Sequence, residues 1–215
     1  MILVRPSAEI LTSTENALGL IEAAGRTCYK SEDRIADGTA EKFVRMVCKR
    51  QHESVIEHAY ATVRFVIDRG VSHELVRHRL CAFSQESTRY CNYKGGVAFV
   101  IPPWVEVETG EYESVDGQSL LQLGIESASV WWLEAMADAE ATYKELLERA
   151  GWTPQQARSV LPNSLKTEIV VTANMREWRH IFRMRCDKAA HPQMREVMLP
   201  LREEFAKRIP VLFSE

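Results

Sequence analysis

Between Arg77 and Tyr90 the chain places three arginines, a histidine and a Ser84-Gln85-Glu86-Ser87-Thr88 stretch. Guanidinium forks match phosphate oxygens in pairs, and hydroxyl and main-chain N–H groups add single donors. Amide and carboxylate groups can read the edge of a base. The same residues would also serve an ordinary solvated helix end. A second basic group comprises Arg158, Asn174, Arg176, Arg179, His180, Arg183 and Arg185. On a helix, Arg176, His180 and Arg183 stand at i, i+4 and i+7 and share one face. Alone, this is an exposed basic face. Two such segments in a chain of net charge -3 point instead to convergence on one polyanionic ligand of modest size.

Several familiar sites are excluded. No G-x-G-x-x-G follows a strand and no G-x-x-x-x-G-K-[ST] occurs, so neither a dinucleotide fingerprint nor a P-loop is present. His52 and His58 flank two glutamates, but six positions put them about 240° apart on a helix, too far round to share a metal. No G-x-S-x-G elbow exists. The five cysteines are scattered without a C-x-x-C, which fits reduced thiols rather than a disulfide framework or a zinc knuckle. Cys81, close to Arg79, is the one candidate for a thiolate nucleophile.

The elements that must position these residues follow from periodicity. At 215 residues and 46% hydrophobic content, one core and one domain over 1–215 are expected. The positive charge is uneven in kind, since 19 of the 27 basic residues are arginine. The near-neutral total argues against long nucleic acid and anionic membrane as partners. No run approaches the roughly 20 apolar residues of a membrane helix and no leader pattern opens the chain, so a cytoplasmic protein is expected. Ile2–Val4 reads as a strand, Glu15–Tyr29 as a helix capped by Ser13 or Thr14, and Ala40–Gln51 as a helix capped by Thr39. Alternation over Ala59–Ile67 predicts a strand, and Ser72 is expected to cap a helix over His73–Leu80. Val97–Ile101 reads as a strand and residues 106–118 as an acidic surface loop. A long helix is predicted near 120–150, about 45 Å if straight, which invites either a kink or packing against another copy. A short helix over Pro154–Leu161, a strand over Thr167–Thr172 and helices over Glu177–Cys186 and Gln193–Lys207 complete the chain. The fold class is α/β (α+β), with a mixed or antiparallel sheet flanked by helices.

Arg77-His78-Arg79, seven intervening residues and Ser87 resemble the signature of the flavin-dependent thymidylate synthases. His52-Glu53-Ser54, Glu57-His58, Ser87-Thr88-Arg89-Tyr90, Arg158, Leu161-Pro162, Asn174-Met175-Arg176 and Arg185 extend the resemblance over roughly residues 50–200. It implies conversion of dUMP to dTMP with methylenetetrahydrofolate as carbon donor, FAD as redox carrier and NADPH as reductant. Carried over, the FAD contacts are Ser54, Arg77, His78, Arg79, Gln85, Asn174, Met175, Arg176 and His180. The dUMP contacts are Glu74, Leu75, Val76, Arg77, Gln85, Glu86, Ser87, Thr88, Arg89, Arg158 and Arg185. Arg185 and Ser87 are the implied catalytic residues, and no metal is implied. The family's active sites lie at subunit interfaces of a homotetramer, so a homo-oligomer is expected here.

The chemistry agrees in kind. Uracil is a weak acid, and a guanidinium beside its carbonyl and ring nitrogen favours the anion, which makes carbon 5 a better nucleophile. Ser87 has no general base in an obvious triad and reads as a positioning donor. Glu74, Ser84 and Gln85 depart from the family's common Gln, Asn and Glu. Arg176 and Arg185 are nine positions apart, about 180° on an ideal helix. They can face one region if Arg176 precedes the helix, if Arg185 ends it, or if different subunits supply them.

Overall fold

A computed structural model describes residues 1–122 and 124–214. In chain order the elements are β1 (Ile2–Val4), β2 (Ser7–Ser13), α1 (Ala17–Tyr29), α2 (Thr39–Lys49), β3 (Tyr60–Asp68) and α3 (Arg69–Leu75). Then come β4 (Ala82–Gln85), β5 (Ala98–Val100), β6 (Gly110–Glu111), α4 (Gly117–Gln122) and α5 (Ser127–Glu148). The last are α6 (Pro154–Ala157), β7 (Lys166–Asn174), α7 (Met175–Arg185), α8 (Pro192–Arg208) and α9 (Pro210–Phe213). They form two compact units, each built from three separated stretches. Met1–Ser7, Val66–Leu75 and Gln85–Ile169 make the first; Ala8–Phe65, Val76–Ser84 and Val170–Glu215 make the second.

In the first unit β1 lies at the centre of a mixed sheet, parallel to β5 with Leu3 opposite Phe99, and antiparallel to β6. Leu3, Phe99, Ile101, Leu133, Tyr143 and Leu165 pack its core. The expected acidic loop thus contributes an edge strand. The single helix expected over 120–150 is two helices. Gly124 turns the chain at φ +84°, a conformation that side chains disfavour, and Leu123 lies outside the described residues. The 22 residues of α5 span about 33 Å, and Val130, Leu133, Met136, Glu140 and Tyr143 form its buried stripe.

The second unit carries most of a four-stranded sheet in the order β2-β3-β7-β4. Ala61, Val63, Phe65 and Ile67 of β3 are fully buried, as alternation predicts. Thr62 and Thr172 share a hydroxyl hydrogen bond of 2.9 Å, and three positions down β3 the Ala59 carbonyl accepts from Met175 N–H, three positions up from Thr172. The pair is therefore antiparallel. Gly25 lets α1 approach α2, because a Cβ there would stand 2.5 Å from the Phe43 ring. Trp178, Phe182, Phe205 and Phe213 form an aromatic cluster joining α7, α8 and α9. Trp178 Nε1–H donates to the Ala61 carbonyl at 3.1 Å and ties α7 to β3.

Three expected caps lie elsewhere. Asn16, not Ser13 or Thr14, accepts from Gly19 N–H at the start of α1; Thr14 instead bonds Tyr60 N–H. Gly38 precedes α2, and the Thr39 hydroxyl donates to Glu22 or to the Ala36 carbonyl. The buried Asp68 carboxylate accepts from Val71 N–H at 2.7 Å, so α3 starts at Arg69 and ends at Leu75. Ser72 lies inside that helix with its hydroxyl on the Arg69 carbonyl. Arg77-His78-Arg79 therefore occupies a turn, not a helix.

Candidate active site

Asn174 caps α7, its side-chain oxygen accepting from Glu177 N–H at 2.9 Å. The helix buries Met175, Trp178, Ile181 and Phe182 in the core of the second unit. The spacing of these apolar residues leaves Asn174, Arg176, Arg179, His180 and Arg183 to line a groove of about 800 Å³. Carboxylates of the single turn Glu53–His58 hold two of the guanidiniums. Arg179 Nη1 donates to Glu53 Oε1 and Arg176 Nη1 to Glu57 Oε1, each at 2.6 Å. Ser54 is exposed on that turn. Arg176 opens α7 and Arg185 ends it, the second of the three arrangements that the nine-residue spacing allowed.

Arg77 and Arg79 are exposed, whereas His78 between them is buried. Arg185 Nε donates to His78 Nε2 at 2.9 Å, and Glu177 Oε1 lies 3.4 Å from His78 Nδ1. The His180 ring stands edge-on to His78 at 5.5 Å, with Arg183 Nη2 3.1 Å from His180 Nδ1. Burial first, then the neighbouring Arg185 and His180, depress the His78 pKa to about 4. The ligand atoms of His78, Glu177 and His180 lie within 4.8 Å of one another. A cation there would have to displace Arg185 from the His78 lone pair. Burial and the Glu177 charge push the Cys81 thiol up to about 12, which removes the thiolate that the nucleophile alternative required.

The depressed His78 pKa has a measurable sign. Between pH 6.5 and about 4 the unfolded chain takes up a proton that folded His78 refuses, so stability falls as pH falls through that window. His78→Gln, whose side-chain carbonyl can still accept from Arg185, is expected to flatten that part of the pH slope. Urea midpoints at pH 7 and 4.5 test this, and equal slopes in both proteins would contradict it.

Apart from Met175 in the second unit, the remaining predicted residues are in the first unit, with Val76 just past its second stretch. Glu74 and Leu75 end α3; Leu75 is fully buried, so its side chain is core and only its main chain could meet a ligand. Met175, also fully buried, has its N–H on Ala59. Gln85 donates to the Ser72 and Thr167 hydroxyls at 3.0 and 3.3 Å. Glu86 accepts from Tyr93 OH at 2.8 Å, from Glu168 N–H at 3.2 Å and from Lys166 Nζ at 3.4 Å. Both side chains thereby anchor the loop that carries Ser87, Thr88 and Arg89. Thr88 is buried and accepts from Arg158 Nη1 at 2.9 Å. Arg89 is exposed, with its guanidinium 5.3 Å from the Tyr90 ring, and Ser87 Oγ accepts from Arg89 N–H. Sequence reasoning missed Glu177, Lys166, Tyr93 and the carboxylates of Glu53 and Glu57. Among Glu177, Lys166 and Tyr93, Glu177 alone carried a local signal, three residues after an Asn cap, and that signal reads as helix capping.

The family model described as thymidylate synthase complementing protein matches residues 9–211. A flavin-dependent thymidylate synthase of Mycobacterium tuberculosis is 32% identical over 219 residues, covering 99% of this chain and 85% of that protein. This chain belongs to the flavin-dependent thymidylate synthase family. The enzyme of the same name from Mycobacteroides abscessus is 32% identical over 216 residues, covering 98% of this chain and 84% of that protein. The fold is shared with the flavin-dependent thymidylate synthase of Helicobacter pylori solved with FAD and dUMP, at TM-score 0.75, 21% identity and 97% of each chain. It is shared too with a UMP/dUMP methylase from Streptomyces cacaoi bound with 5-Br dUMP, at TM-score 0.74, 24% identity, and 100% and 96% coverage. In this member of the flavin-dependent thymidylate synthase family, the groove on α7 gathers Arg176, Arg179, His180 and Arg183, and the anchored loop Gln85–Arg89 presents Arg89.

Proposed function

We infer that the chain catalyses reductive methylation of dUMP to dTMP, with methylenetetrahydrofolate as carbon donor, NADPH as reductant and FAD as redox carrier. Family membership supports the reaction class. The observation that carries the residue assignment is the buried contact between His78 of the Arg-His-Arg turn and Arg185 at the end of α7. It fixes the guanidinium implied to favour the uracil anion against the segment that carries the signature. The α7 groove fits FAD in its donor set. Its guanidiniums each bear five N–H groups, and those not spent on Glu53 and Glu57 suit a pyrophosphate, while His180 and Asn174 offer ring and amide contacts. Its volume lies within the range of cofactor sites. When bound, the flavin supplies the electrons that reduce the transferred one-carbon unit to a methyl group.

The protein's own groups bind and orient. Arg176, Arg179, Arg183 and His180 hold the cofactor, with Ser54, Arg77, Arg79 and the Met175 main chain beside it. Ser87, Arg89 and Arg158 take the nucleotide phosphate, and Glu86 and Gln85 keep their loop in place. Arg185 withdraws charge from the uracil ring, so that carbon 5 attacks more readily. The catalytic unit is the whole of 1–215, acting as a homotetramer with active sites at subunit interfaces, in the cytoplasm. Among the described residues no helix is long and apolar enough to cross a membrane.

Absorbance spectroscopy tests this reading. Purified protein reconstituted with FAD is expected to keep the flavin through desalting, and added dUMP is expected to shift its visible bands. A protein that retains no flavin and shows no response to dUMP would sink the proposal.

A further inference from the structure

Glu177 carries a carboxylate in the second unit, only 8% exposed, and no role so far described accounts for it. Burying a carboxylate is costly without compensation. Its Oε1 lies 3.4 Å from His78 Nδ1, and the imidazole is only 6% exposed. On the far side of that ring, Arg185 Nε stands 2.9 Å from Nε2. An arginine Nε always bears a hydrogen and never accepts, so His78 Nε2 must present its lone pair. The neutral ring then carries its proton on Nδ1, facing Glu177.

We propose that Glu177 is a positioning residue that holds His78 in its Nδ1–H tautomer, so that Nε2 stays an acceptor and aims Arg185. Without an acceptor at position 177 the Nδ1–H would be buried with nothing opposite it. The ring would gain by moving its proton to Nε2, where it meets the N–H of Arg185 donor to donor. Arg185 would then have to turn away. The helix makes the arrangement stiff. Glu177 and Arg185 both belong to α7, whose start is fixed by Asn174 and whose apolar side is fixed by Trp178. Burial drives the pKa of Glu177 up and that of His78 down, in keeping with a neutral imidazole beside the carboxyl rather than a full ion pair. On the neighbouring ring Arg183 Nη2 stands 3.1 Å from His180 Nδ1.

The catalytic consequence rests on the proposed function, because it requires Arg185 to act on the substrate. A small misplacement of a charge that acts on the reacting ring costs roughly 10- to 100-fold in rate. The experiment pairs two readouts on the full-length protein with FAD bound. Long-range ¹H–¹⁵N NMR of histidine-labelled protein, with His78 assigned by comparison with His78→Gln, reads the tautomer without substrate. Steady-state kinetics reads dTMP formation. In the wild type the His78 proton is expected on Nδ1. In Glu177→Leu, which leaves no acceptor at this position, it is expected to move toward Nε2, with kcat down roughly 10- to 100-fold and flavin content and KM for dUMP within about twofold. Glu177→Asp, which keeps the carboxylate, is expected to restore the tautomer and part of the rate. A wild-type ring protonated on Nε2, or a Glu177→Leu protein with wild-type tautomer and kcat, would overturn the proposal. A failure of the functional reading looks different, since the wild type would then bind no FAD and make no dTMP. The tautomer comparison would still decide the role of Glu177.

Discussion

Arg185→Lys is expected to retain FAD at the wild-type level and to lower kcat for dTMP formation by roughly 100-fold or more. Arginine offers a flat array of donors, one of which, Nε, is committed to His78 at 2.9 Å. Lysine keeps the positive charge but places it on a single terminal ammonium. It cannot bond His78 from the position of Nε and face a planar uracil edge at the same time. The groove donors Arg176, Arg179 and His180 belong to other turns of α7, so cofactor binding should survive. Flavin released by denaturation gives the cofactor content, and a dUMP titration separates kcat from KM. Turnover within threefold of wild type would remove Arg185 from the chemistry.

The second large effect is on stability. Trp178→Ala is expected to cost about 3–5 kcal/mol, because a fully buried indole leaves a cavity that its neighbours cannot close. Its ring packs 5.2 Å from Phe205 and 5.7 Å from Phe182, centroid to centroid, and its N–H bonds the Ala61 carbonyl. Trp178→Phe, which keeps much of the ring and loses that hydrogen bond, should cost less. Chemical denaturation measures both, and a loss below about 1 kcal/mol for the alanine variant would show that α7 is anchored elsewhere. The effect reaches function through the same helix. As α7 loosens, flavin retention should fall with stability, whereas Arg185→Lys separates the two.

The parts of this molecule that were legible in its sequence are those whose cause is local. Alternation from Ala59 to Ile67 is a property of consecutive residues, and β3 buries the predicted set. The Arg77-His78-Arg79 spacing to Ser87 needs no knowledge of neighbours either. Caps were misread where two acceptors competed within a few residues. Ser72 had the right chemistry, but the buried Asp68 carboxylate is the stronger acceptor and moved α3 toward the N-terminus. The continuous helix over 120–150 was misread because hydrophobic spacing does not register a positive φ such as that of Gly124, between α4 and α5. The supporting contacts were beyond reach for another reason. Glu86 meets Lys166 across 80 positions, and Arg185 meets His78 across 107. A composition or a period carries no trace of such partners, so the protein bonds of Gln85 and Glu86 could not be read from it.

The pairing of Thr62 with Thr172 spans 110 positions of chain. A ribosome must therefore complete most of the polypeptide before the middle of the four-stranded sheet can close. Until then β3, whose Ala61, Val63, Phe65 and Ile67 end up shielded from water, has no β7 to pair with. Distant pairings of this kind slow folding and lengthen the time for which sticky strands are exposed. Newly made protein is thus expected to depend on holdase chaperones during synthesis, and yield in a heterologous host should improve more from slower translation at low temperature than from substitutions on the finished surface.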